Sequence, residues 1–539
     1  MTTAAHATGM WGVLPDVLDR ACTYYAGRTA ILDAADGRSL TYRQLNHWRN
    51  RIANGLIKSG VEKGERVGLL MPNCLEFIPA QHGIWAAGAS LVQMATRSAP
   101  EGFKANLAQT GATALIYHAK FEAAVATIRE DLPELRILIR LGQPRSELLV
   151  DAVDFDEFVA QQPLTRPTVY IDEHDEAYVL FTSGSTGEPK GVVNSHLSWS
   201  HYAISAGLDI GDIRFGEVFA HGAPLTHFSQ IFVMPTFVRG GTNVMLPGLD
   251  VAGLTSNIEK FGVTAVALVP TIIYLLIDHA RTHDNDLSSL QTVVYAGSPI
   301  APERLRQALE TFGPIFIQTY AGSEPGYVSC LRKQDHLQRA GESAEAWTAR
   351  LASAGQPMFP VQVSIQDEND NILPIGASGE ICSHQLGQML GYLDPERDIE
   401  TLRDGWVHTG DIGRLDEDGY LHLVDRKKDM VVSGGFNVFP RQVEDALATH
   451  PAVAQSAVIG IPHEKWGEAV LAFVVARSGE ITGPDLGSEL IGHVKTALGS
   501  VHAPKSVLFT DALPLNPAGK VDKKALRRPY WHHRSRQVG

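Results

Sequence analysis

Residues 181–191, Phe-Thr-Ser-Gly-Ser-Thr-Gly-Glu-Pro-Lys-Gly, combine the side chains that phosphate binding needs within one short stretch. Glycines leave backbone N–H groups accessible, hydroxyl groups donate hydrogen bonds, and Lys190 supplies a positive charge. This composition predicts a loop that binds a polyphosphate. The nucleotide-triphosphatase pattern G-x-x-x-x-G-K-[ST] does not fit, because Pro189 separates Gly187 from Lys190 and Gly191 stands where Ser or Thr is required. Short strand patterns on both sides predict a loop between two strands, and a Ser/Gly-rich surface hairpin is the alternative interpretation.

The composition of the whole chain excludes several classes of protein. Its 539 residues suggest roughly three or four domains. A net charge of -14 disfavours nucleic acid and anionic membrane surfaces as partners. The four cysteines form no C-x-x-C pair, which argues against a zinc site and a disulfide framework. The apolar run over 263–277 is too short to span a bilayer, and we find neither a secretory signal nor a Ser-Lys-Leu terminus, so we expect a cytoplasmic protein without integral membrane association.

Strand and helix patterns alternate in the segments that must position the loop. Strand patterns over 66–71, 90–94, 290–295 and 314–319 are separated by helical patterns, which predicts parallel sheets covered by helices. Ligands bind beyond the carboxyl ends of such strands. Two loops follow strands in this way, 296–299 and 319–324. Short strands and turns from about residue 355 predict a small antiparallel barrel, and the pattern after Asp425 predicts a compact α+β unit.

The loop resembles the phosphate-binding loop of the acyl-adenylate-forming enzymes, a superfamily of acyl-CoA synthetases, peptide-synthetase adenylation domains and beetle luciferases. The family pattern reads approximately [YF]-T-S-G-[TS]-T-G-x-P-K-G, and residues 181–191 match it throughout. Four further motifs stand in the family's order. They are Tyr320-Ala-Gly-Ser-Glu324, Thr409-Gly-Asp411 with Arg426, Ser433-Gly-Gly-Phe-Asn437, and Pro514-Leu-Asn-Pro-Ala-Gly-Lys520.

The resemblance implies a role for each matching residue. Tyr320 would stack on adenine, Ser323 would contact the α-phosphate, Glu324 would bind Mg²⁺, and Asp411 would accept the ribose hydroxyls with support from Arg426. Ala321 and Ser323 depart from the usual Y-G-x-T-E residues. The other residues expected to contact ATP or AMP are Thr182, Ser183, Gly184, Ser185, Thr186, Gly187, Lys190, Gly297 and Ser298.

The second half of the resemblance concerns a moving domain. It implies a large N-terminal domain, residues 1–427, of parallel βαβ subdomains plus a small β-barrel, and a mobile small α+β C-terminal domain, residues 428–539. The hinge would be Lys428, and Lys520 would be the catalytic lysine of adenylation. Gly434 and Gly435 would form the strand that lines the CoA tunnel. The alternative interpretations are a turn for Thr409-Gly-Asp411, a solvated charge run for Arg426-Lys-Lys428 and a solvated lysine for Lys520.

The implied reaction is the ligation of a carboxylic acid to CoA. The acid attacks the α-phosphorus of ATP, Mg²⁺ offsets charge, pyrophosphate leaves, and a thiolate then releases AMP. His227 matches the histidine that borders the acyl group in many family members, and a core or gating histidine is the alternative. We find no aspartate nearby for an amino acid's ammonium, which favours a fatty, alicyclic or aromatic acid. Gly297, Ser298 and Thr319 are expected in the pocket walls.

Three other functions stay open. An acyl-AMP ligase would load a carrier protein, although about 110 residues after the hinge leave little room for the insertion that such ligases carry. A non-catalytic nucleotide-binding homologue is disfavoured, because Lys190, Glu324, Asp411, Arg426 and Lys520 are all present. A luciferase-like oxidase shares the adenylation residues. The expected partners are ATP, the acid and CoA, and a homodimer is a candidate assembly.

Overall fold

The computed structural model of the protein describes residues 12–144, 146, 148–183, 189–210, 215–226, 228–298, 300–515 and 521–531, with Ser183 and Asn437 described by their backbone. The chain divides into two compact units. Unit 1 comprises Met1–Val363, Ser383–Val407 and Gly419–Leu421, and unit 2 comprises Ser364–Cys382, His408–Asp418 and His422–Gly539. The boundary expected between residues 427 and 428 stays a prediction.

The strands are numbered in chain order. They are β1 Thr29–Asp33, β2 Ser39–Thr41, β3 Arg66–Leu70, β4 Ser90–Gln93, β5 Ala114–His118, β6 Ile137–Leu141, β7 Val153–Asp154, β8 Glu176–Ser183, β9 Pro189–Ser195, β10 Val218–His221, β11 Thr242–Met245, β12 Ala265–Leu268, β13 Thr292–Tyr295, β14 Phe316–Gly322, β15 Gly326–Leu331, β16 Gln356–Pro357, β17 Gln362–Gln366, β18 Gly379–His384, β19 Gly391–Tyr392, β20 Leu402–Arg403, β21 Trp406–Leu415, β22 Leu421–Arg426, β23 Val431–Ser433, β24 Phe436–Val438, β25 Val453–His463, β26 Gly467–Ala476 and β27 Ser506–Phe509.

The α-helices are numbered in the same way. They are α1 Leu14–Tyr24, α2 Tyr42–Lys58, α3 Phe77–Ala86, α4 Pro100–Thr110, α5 Glu122–Ile128, α6 Phe155–Ala160, α7 His196–Asp209, α8 Val233–Val238, α9 Val251–Phe261, α10 Pro270–Ala280, α11 Pro302–Phe312, α12 Ala344–Leu351, α13 Asp398–Thr401, α14 Pro440–Ala448, α15 Pro484–Leu498 and α16 Lys523–Arg527.

Unit 1 contains two large sheets with parallel centres; both edges of the first and one edge of the second are antiparallel. One is ordered β16-β15-β14-β13-β12-β10-β11-β1-β2, and the other β19-β9-β8-β4-β3-β5-β6-β7. Every residue of β4, β12 and β13 is buried, and β12 and β13 have the near-continuous apolar sequences of strands that are covered on both faces. In each sheet one long antiparallel hairpin follows the parallel centre, β14–β15 in the first and β8–β9 in the second.

Unit 2 contains a smaller sheet ordered β24-β23-β26-β25, with β27 parallel to β26. Its apolar face packs against α14 and α15 through residues such as Val443, Leu447 and Leu490. A further sheet of five strands is ordered β17-β18-β21-β20, with β22 beside β21, in the segment where the sequence predicts short strands and turns.

The predicted mixed α/β architecture is confirmed. The alternation over 66–94 becomes β3, α3 and β4, and the apolar run over 263–277 becomes a buried strand followed by a helix, as expected. The strand predicted over 314–319 differs, because β14 continues to Gly322 through the Tyr320 motif. Of the helices described, none is both long and apolar enough to cross a membrane.

Candidate functional site

The predicted phosphate loop is the connection of the β8–β9 hairpin. Thr182 lies opposite Lys190, and Phe181 opposite Gly191, in antiparallel register. The prediction that two strands flank the loop is therefore confirmed, and no helix begins directly after it, because β9 runs to Ser195 before α7 starts. Gly184, Ser185, Thr186 and Gly187 lie outside the described residues, as does the side chain of Ser183.

Lys190 is half-buried and contacts an aromatic ring that the sequence analysis did not single out. Its Nζ atom lies 5.1 Å from the centre of the Tyr392 ring, within the range of a cation–π interaction. The short strand β19 brings Tyr392 there, because it pairs antiparallel with β9, Tyr392 opposite Val192. The N–H of Leu393 also donates to the carbonyl of Gly191 at 2.8 Å.

The second motif forms the tight turn of the β14–β15 hairpin. Gly322 and Gly326 lie opposite each other, so Ser323, Glu324 and Pro325 form the turn itself. Gly326 has φ +74, and a Cβ atom there would lie 2.7 Å from the carbonyl oxygen of Gly387, so both conformation and space require glycine. Ala321 lies within β14 and is not among the residues with positive φ, so alanine is accommodated where the family has glycine.

Glu324 projects from this turn and is half-buried. The hydroxyl of Tyr392 donates to its Oε1 atom at 3.0 Å. Among the residues that the structure describes, no lysine or arginine forms an ion pair with this carboxylate. Burial, together with the charge of Glu324, raises the pKa of Tyr392, so the phenol stays a hydrogen-bond donor. Tyr392 thus contacts the predicted phosphate-binding lysine and the predicted magnesium ligand.

A row of aromatic rings supports both hairpins. The distance between ring centres is 4.7 Å for Tyr178 and Trp199, 4.9 Å for Trp199 and Tyr202, and 5.2 Å for Tyr202 and Tyr327. Tyr178 belongs to β8, Tyr327 to β15, and the two middle rings to α7. The hydroxyl of Tyr202 donates to the carbonyl of Gly322 at 3.1 Å, directly before the turn that carries Glu324. Helix α7 therefore packs against both hairpins and fixes the turn.

The predicted pocket residues follow neighbouring strands of the nine-stranded sheet. Gly297 and Ser298 are exposed after β13, and Gly297 has φ +89. Thr319 in β14 is buried, and its hydroxyl has no hydrogen-bond partner among the described residues. Tyr320, next in the strand, is half-buried. An unsatisfied hydroxyl beside an expected ligand site fits a site that a ligand completes. His227 lies outside the described residues.

In unit 2, Asp411 and Arg426 form an ion pair with 2.7 Å between the Nε and Oδ1 atoms. Asp411 is in β21 with its side chain about nine-tenths buried, and Arg426 ends β22 with its side chain 54% exposed. The hydroxyl of Thr409 accepts the N–H of Asp411 at 3.1 Å. The two residues expected to contact the ribose are therefore neighbours.

A buried carboxylate, Glu380, contacts the chain neighbours of this ion pair. It accepts hydrogen bonds from the N–H of Gly410 at 3.1 Å and from Nζ of Lys427 at 3.0 Å, and it contacts Nδ1 of His408 at 3.4 Å. Burial alone would raise its pKa, but the contacts with His408 and Lys427 outweigh burial and lower the pKa to about 2. Glu380 thus connects the residues that precede Asp411 with the residue that follows Arg426. The sequence signal, a lone Gly-Glu pair, was too weak to find it.

Lys428 lies in a 3₁₀ turn, Lys427–Asp429, directly after β22. Burial and the nearby charge of Arg426 lower its pKa. Farther along, Gly434 and Gly435 form the two-residue connection of the β23–β24 hairpin, with Ser433 opposite Phe436. Their φ angles are +61 and +81, and positive φ at both positions is what a type I′ turn requires. The prediction that these glycines form a strand is therefore wrong, because they form the turn between two strands; their place in the CoA tunnel stays a prediction.

Lys520 lies outside the described residues, but the elements on either side of it are described. Leu515 and Val521 pair as an antiparallel bridge, and the N–H of Asp522 donates to the carbonyl of Pro514 at 2.7 Å. Helix α16 then begins with Lys523, whose Nζ lies 2.7 Å from Glu444 in α14. The helix ends with Arg527, which lies 2.6 Å from Asp429 beside the predicted hinge.

Comparison with known proteins agrees with this architecture. The family model described as "AMP-binding enzyme" matches residues 18–393, and "AMP-binding enzyme C-terminal domain" matches residues 442–520. A medium/long-chain-fatty-acid–CoA ligase, FadD8 of Mycobacterium tuberculosis, is 38% identical over 89% of this chain and 84% of its own length. A feruloyl-CoA synthase of Amycolatopsis sp is 34% identical over 92% of this chain and 94% of its own.

Solved structures show the same fold. The amide bond synthetase McbA from Marinactinospora thermotolerans superposes with a TM-score of 0.84 at 30% identity, over 96% of this chain and 99% of its own. Parallel sheets with a phosphate-loop hairpin and a C-terminal α+β unit define the class of adenylate-forming enzymes. The chain belongs to the family of AMP-binding enzymes, and the prediction of an AMP-forming acid–thiol ligase is confirmed at the level of this family.

Proposed function

We propose that the protein is an ATP-dependent carboxylic acid–CoA ligase that acts through an acyl-AMP intermediate. The observation that carries the proposal is the convergence of Lys190 and Glu324 on Tyr392, which brings together a cation suited to phosphate and a carboxylate suited to a divalent cation. The identity to FadD8 and to a feruloyl-CoA synthase supports a fatty or aromatic acid and CoA as the acceptor.

The proposed adenylation uses the residues that match the family's motifs. Lys190 and the backbone of residues 183–187 would bind the β- and γ-phosphates, which leave as pyrophosphate, while Lys520 would stabilise charge at the attacked α-phosphate. Tyr320 would stack on adenine, and Ser323 would contact the α-phosphate. Asp411, with two acceptor oxygens, suits the two ribose hydroxyls, and its ion pair with Arg426 fixes its orientation.

Glu324 fits the role of metal ligand, because it is charged, half-buried and without a cationic partner among the described residues. Glu324 would hold the Mg²⁺, whose positive charge would offset the charge of the phosphates. One carboxylate suffices, since Mg²⁺ in nucleotide sites takes most of its ligands from phosphate and water. In the part of the chain that the structure describes, no group of three acidic, histidine or cysteine side chains could hold a metal by itself.

The second half-reaction needs a different set of residues. We propose that rotation at Lys428 replaces Lys520 by the Gly434–Gly435 turn, beside which the thiol would reach the acyl carbon. His227, Gly297, Ser298 and Thr319 would border the acyl group. The charge-free character of these residues supports an acid without an ammonium group.

The acceptor is the open part of this proposal. McbA, with the same fold, is an amide bond synthetase, so an amine is a second candidate acceptor beside a carrier-protein thiol. Pyrophosphate release should be measured over a panel of fatty, alicyclic and aromatic acids, with CoA, an amine, holo-carrier protein or no acceptor. The proposal predicts acid-dependent release that CoA accelerates, with thioester formed. Acid-dependent pyrophosphate release with an amide or an acyl-carrier product instead would identify a different acceptor. No pyrophosphate release with any acid of the panel would contradict ligase activity.

Lys520 separates the two half-reactions. Lys520→Ala should lower acyl-adenylate formation by about 10²-fold, the scale expected for loss of one charge-stabilising group, and should spare thioester formation from supplied acyl-AMP. Both rates are measurable by single-turnover assays. Equal losses in the two half-reactions would contradict the role proposed for Lys520.

A further inference from the structure

We propose that Tyr392 is a positioning residue for adenylation, whose hydroxyl orients Glu324 and whose ring holds the ammonium group of Lys190. The inference rests on the proposed function, since it gives Tyr392 its role through those two residues. It adds a residue that none of the recognised motifs contains.

The two contacts use different parts of one side chain. The hydroxyl donates to Oε1 of Glu324 at 3.0 Å, which leaves the Oε2 atom for another ligand. The ring receives Nζ of Lys190 at 5.1 Å from its centre. Glu324 lies in the turn of the β14–β15 hairpin, and Lys190 lies in the β8–β9 hairpin. One phenol side chain therefore contacts charged groups from two different sheets.

Tyr392 is itself held on both sides. Its backbone pairs with β9, and its N–H donates to Oδ1 of Asp398 at 2.7 Å. Its side chain is buried, 7% exposed, and packs with Val192 and Met389. A buried aromatic side chain fixed at its backbone has little rotational freedom, so it can impose its position on the longer side chains of Glu324 and Lys190.

A neutral group between the two charges has a chemical advantage. In a direct ion pair, the charges of Lys190 and Glu324 would compensate each other, so each would attract phosphate or metal less strongly. The phenol satisfies one oxygen of Glu324 without a positive charge, and the ring face attracts Lys190 without a full negative charge. Both ionic groups are thereby oriented while their charges stay available to MgATP.

The test compares Tyr392→Phe, which removes the hydroxyl and keeps the ring, with Tyr392→Leu, which removes both. The matched control is Tyr420→Phe, because Tyr420 is equally buried in the same unit and its hydroxyl donates to Asp335 at 2.9 Å. Acid-dependent ATP–pyrophosphate exchange is measured against free Mg²⁺ at saturating ATP. Tyr392→Phe should raise the Mg²⁺ concentration for half-maximal rate about 10-fold, the scale for losing an outer partner of a metal ligand, whereas Tyr420→Phe should not.

A double-mutant cycle assigns the effect to Glu324. If the hydroxyl acts through that carboxylate, Tyr392→Phe should cause no further loss in a Glu324→Gln background. Likewise, the extra loss in Tyr392→Leu over Tyr392→Phe should disappear with Lys190→Met. An unchanged Mg²⁺ requirement in folded Tyr392→Phe, or additive losses in both cycles, would overturn the inference while wild-type exchange kept the proposed function. Wild-type protein without exchange on any acid would instead contradict the proposed function itself.

Discussion

Glu324 in unit 1 and four carboxylates of unit 2 have different partners. In unit 1, Glu324 has a neutral partner, the phenol of Tyr392. In unit 2, four carboxylates around the expected ribose site and hinge are each paired with a cation. These pairs are Asp411–Arg426, Glu380–Lys427, Asp429–Arg527 and Glu444–Lys523.

The difference separates charges that serve a ligand from charges that hold the fold. A carboxylate already paired with lysine or arginine has most of its charge compensated, so it orients segments and accepts hydrogen bonds from neutral groups. A carboxylate without such a partner favours a cation from outside the chain. The partner of Glu324 is therefore consistent with its proposed role as a metal ligand, and the paired carboxylates of unit 2 are consistent with a fixed local geometry.

The largest effect on activity is expected for Glu324→Gln, which tests whether this carboxylate serves a ligand. Glu324→Gln keeps the size of the side chain and its contact with Tyr392 but removes the charge. We expect adenylation to fall by about 10²–10³-fold, equivalent to roughly 3–4 kcal/mol of transition-state stabilisation. The unfolding midpoint should stay within about 2 °C of wild type, because no internal ion pair is lost among the described residues. A large fall in stability with little change in exchange rate would reverse the assignment.

Glu380 provides the opposite test, on stability. Its pKa in the folded state, about 2, lies below its ordinary value of 4.5. Its charge therefore stabilises the fold above pH 4.5, and this contribution is lost as the pH falls toward 2. Between pH 5 and 3 the free energy of unfolding should fall by roughly 2 kcal/mol from this group alone. Denaturant unfolding of wild type and Glu380→Gln should converge over this range. The control is Glu417→Gln, at an exposed site of the same unit. Its unfolding free energy should differ little from that of wild type, and this difference should not change between pH 5 and 3.

The sequence predicted the parts of the site that depend on local pattern. The strands around residues 181–191 and the βαβ segments follow from apolar runs. Tyr320, Ser323 and Glu324 were found as a motif, and the structure places all three in or beside one hairpin turn.

Residues recruited through tertiary contacts were not predictable in this way. Tyr392 belongs to a two-residue strand and Glu380 to a Gly-Glu pair, and neither has a periodicity or spacing that indicates its role. Their partners lie 68 and 30 residues away along the chain for the Tyr392–Glu324 and Glu380–Gly410 contacts. Such pairings are set by sheet topology, which a single sequence specifies only through packing.

Asp411→Asn tests whether Asp411 contributes to ATP binding without affecting the Mg²⁺ requirement. The amide keeps the shape but loses one acceptor and the charge that attracts Arg426. Loss of a hydrogen bond to a charged group costs about 1.5–3 kcal/mol, so KM for ATP should rise on the order of 10- to 100-fold. The Mg²⁺ requirement should stay unchanged, in contrast to Tyr392→Phe. A shifted Mg²⁺ requirement in Asp411→Asn would remove the division of roles between the units. ATP dependence of exchange at fixed free Mg²⁺ measures both quantities.

The smallest expected effect concerns the backbone rather than a charge. Gly435 has φ +81 in the two-residue β23–β24 turn and open space around its Cα, so Gly435→Ala adds strain without a clash. We expect a loss of about 1 kcal/mol in unfolding free energy, together with a slower thioester step and unchanged pyrophosphate exchange. Gly492→Ala is the matched control, because Gly492 lies exposed inside α15 with no positive φ, and alanine there should stabilise the helix by about 0.5–1 kcal/mol. If both substitutions shift stability in the same direction, the turn does not require left-handed backbone. If Gly435→Ala slows pyrophosphate exchange as much as thioester formation, this turn does not belong to the second half-reaction.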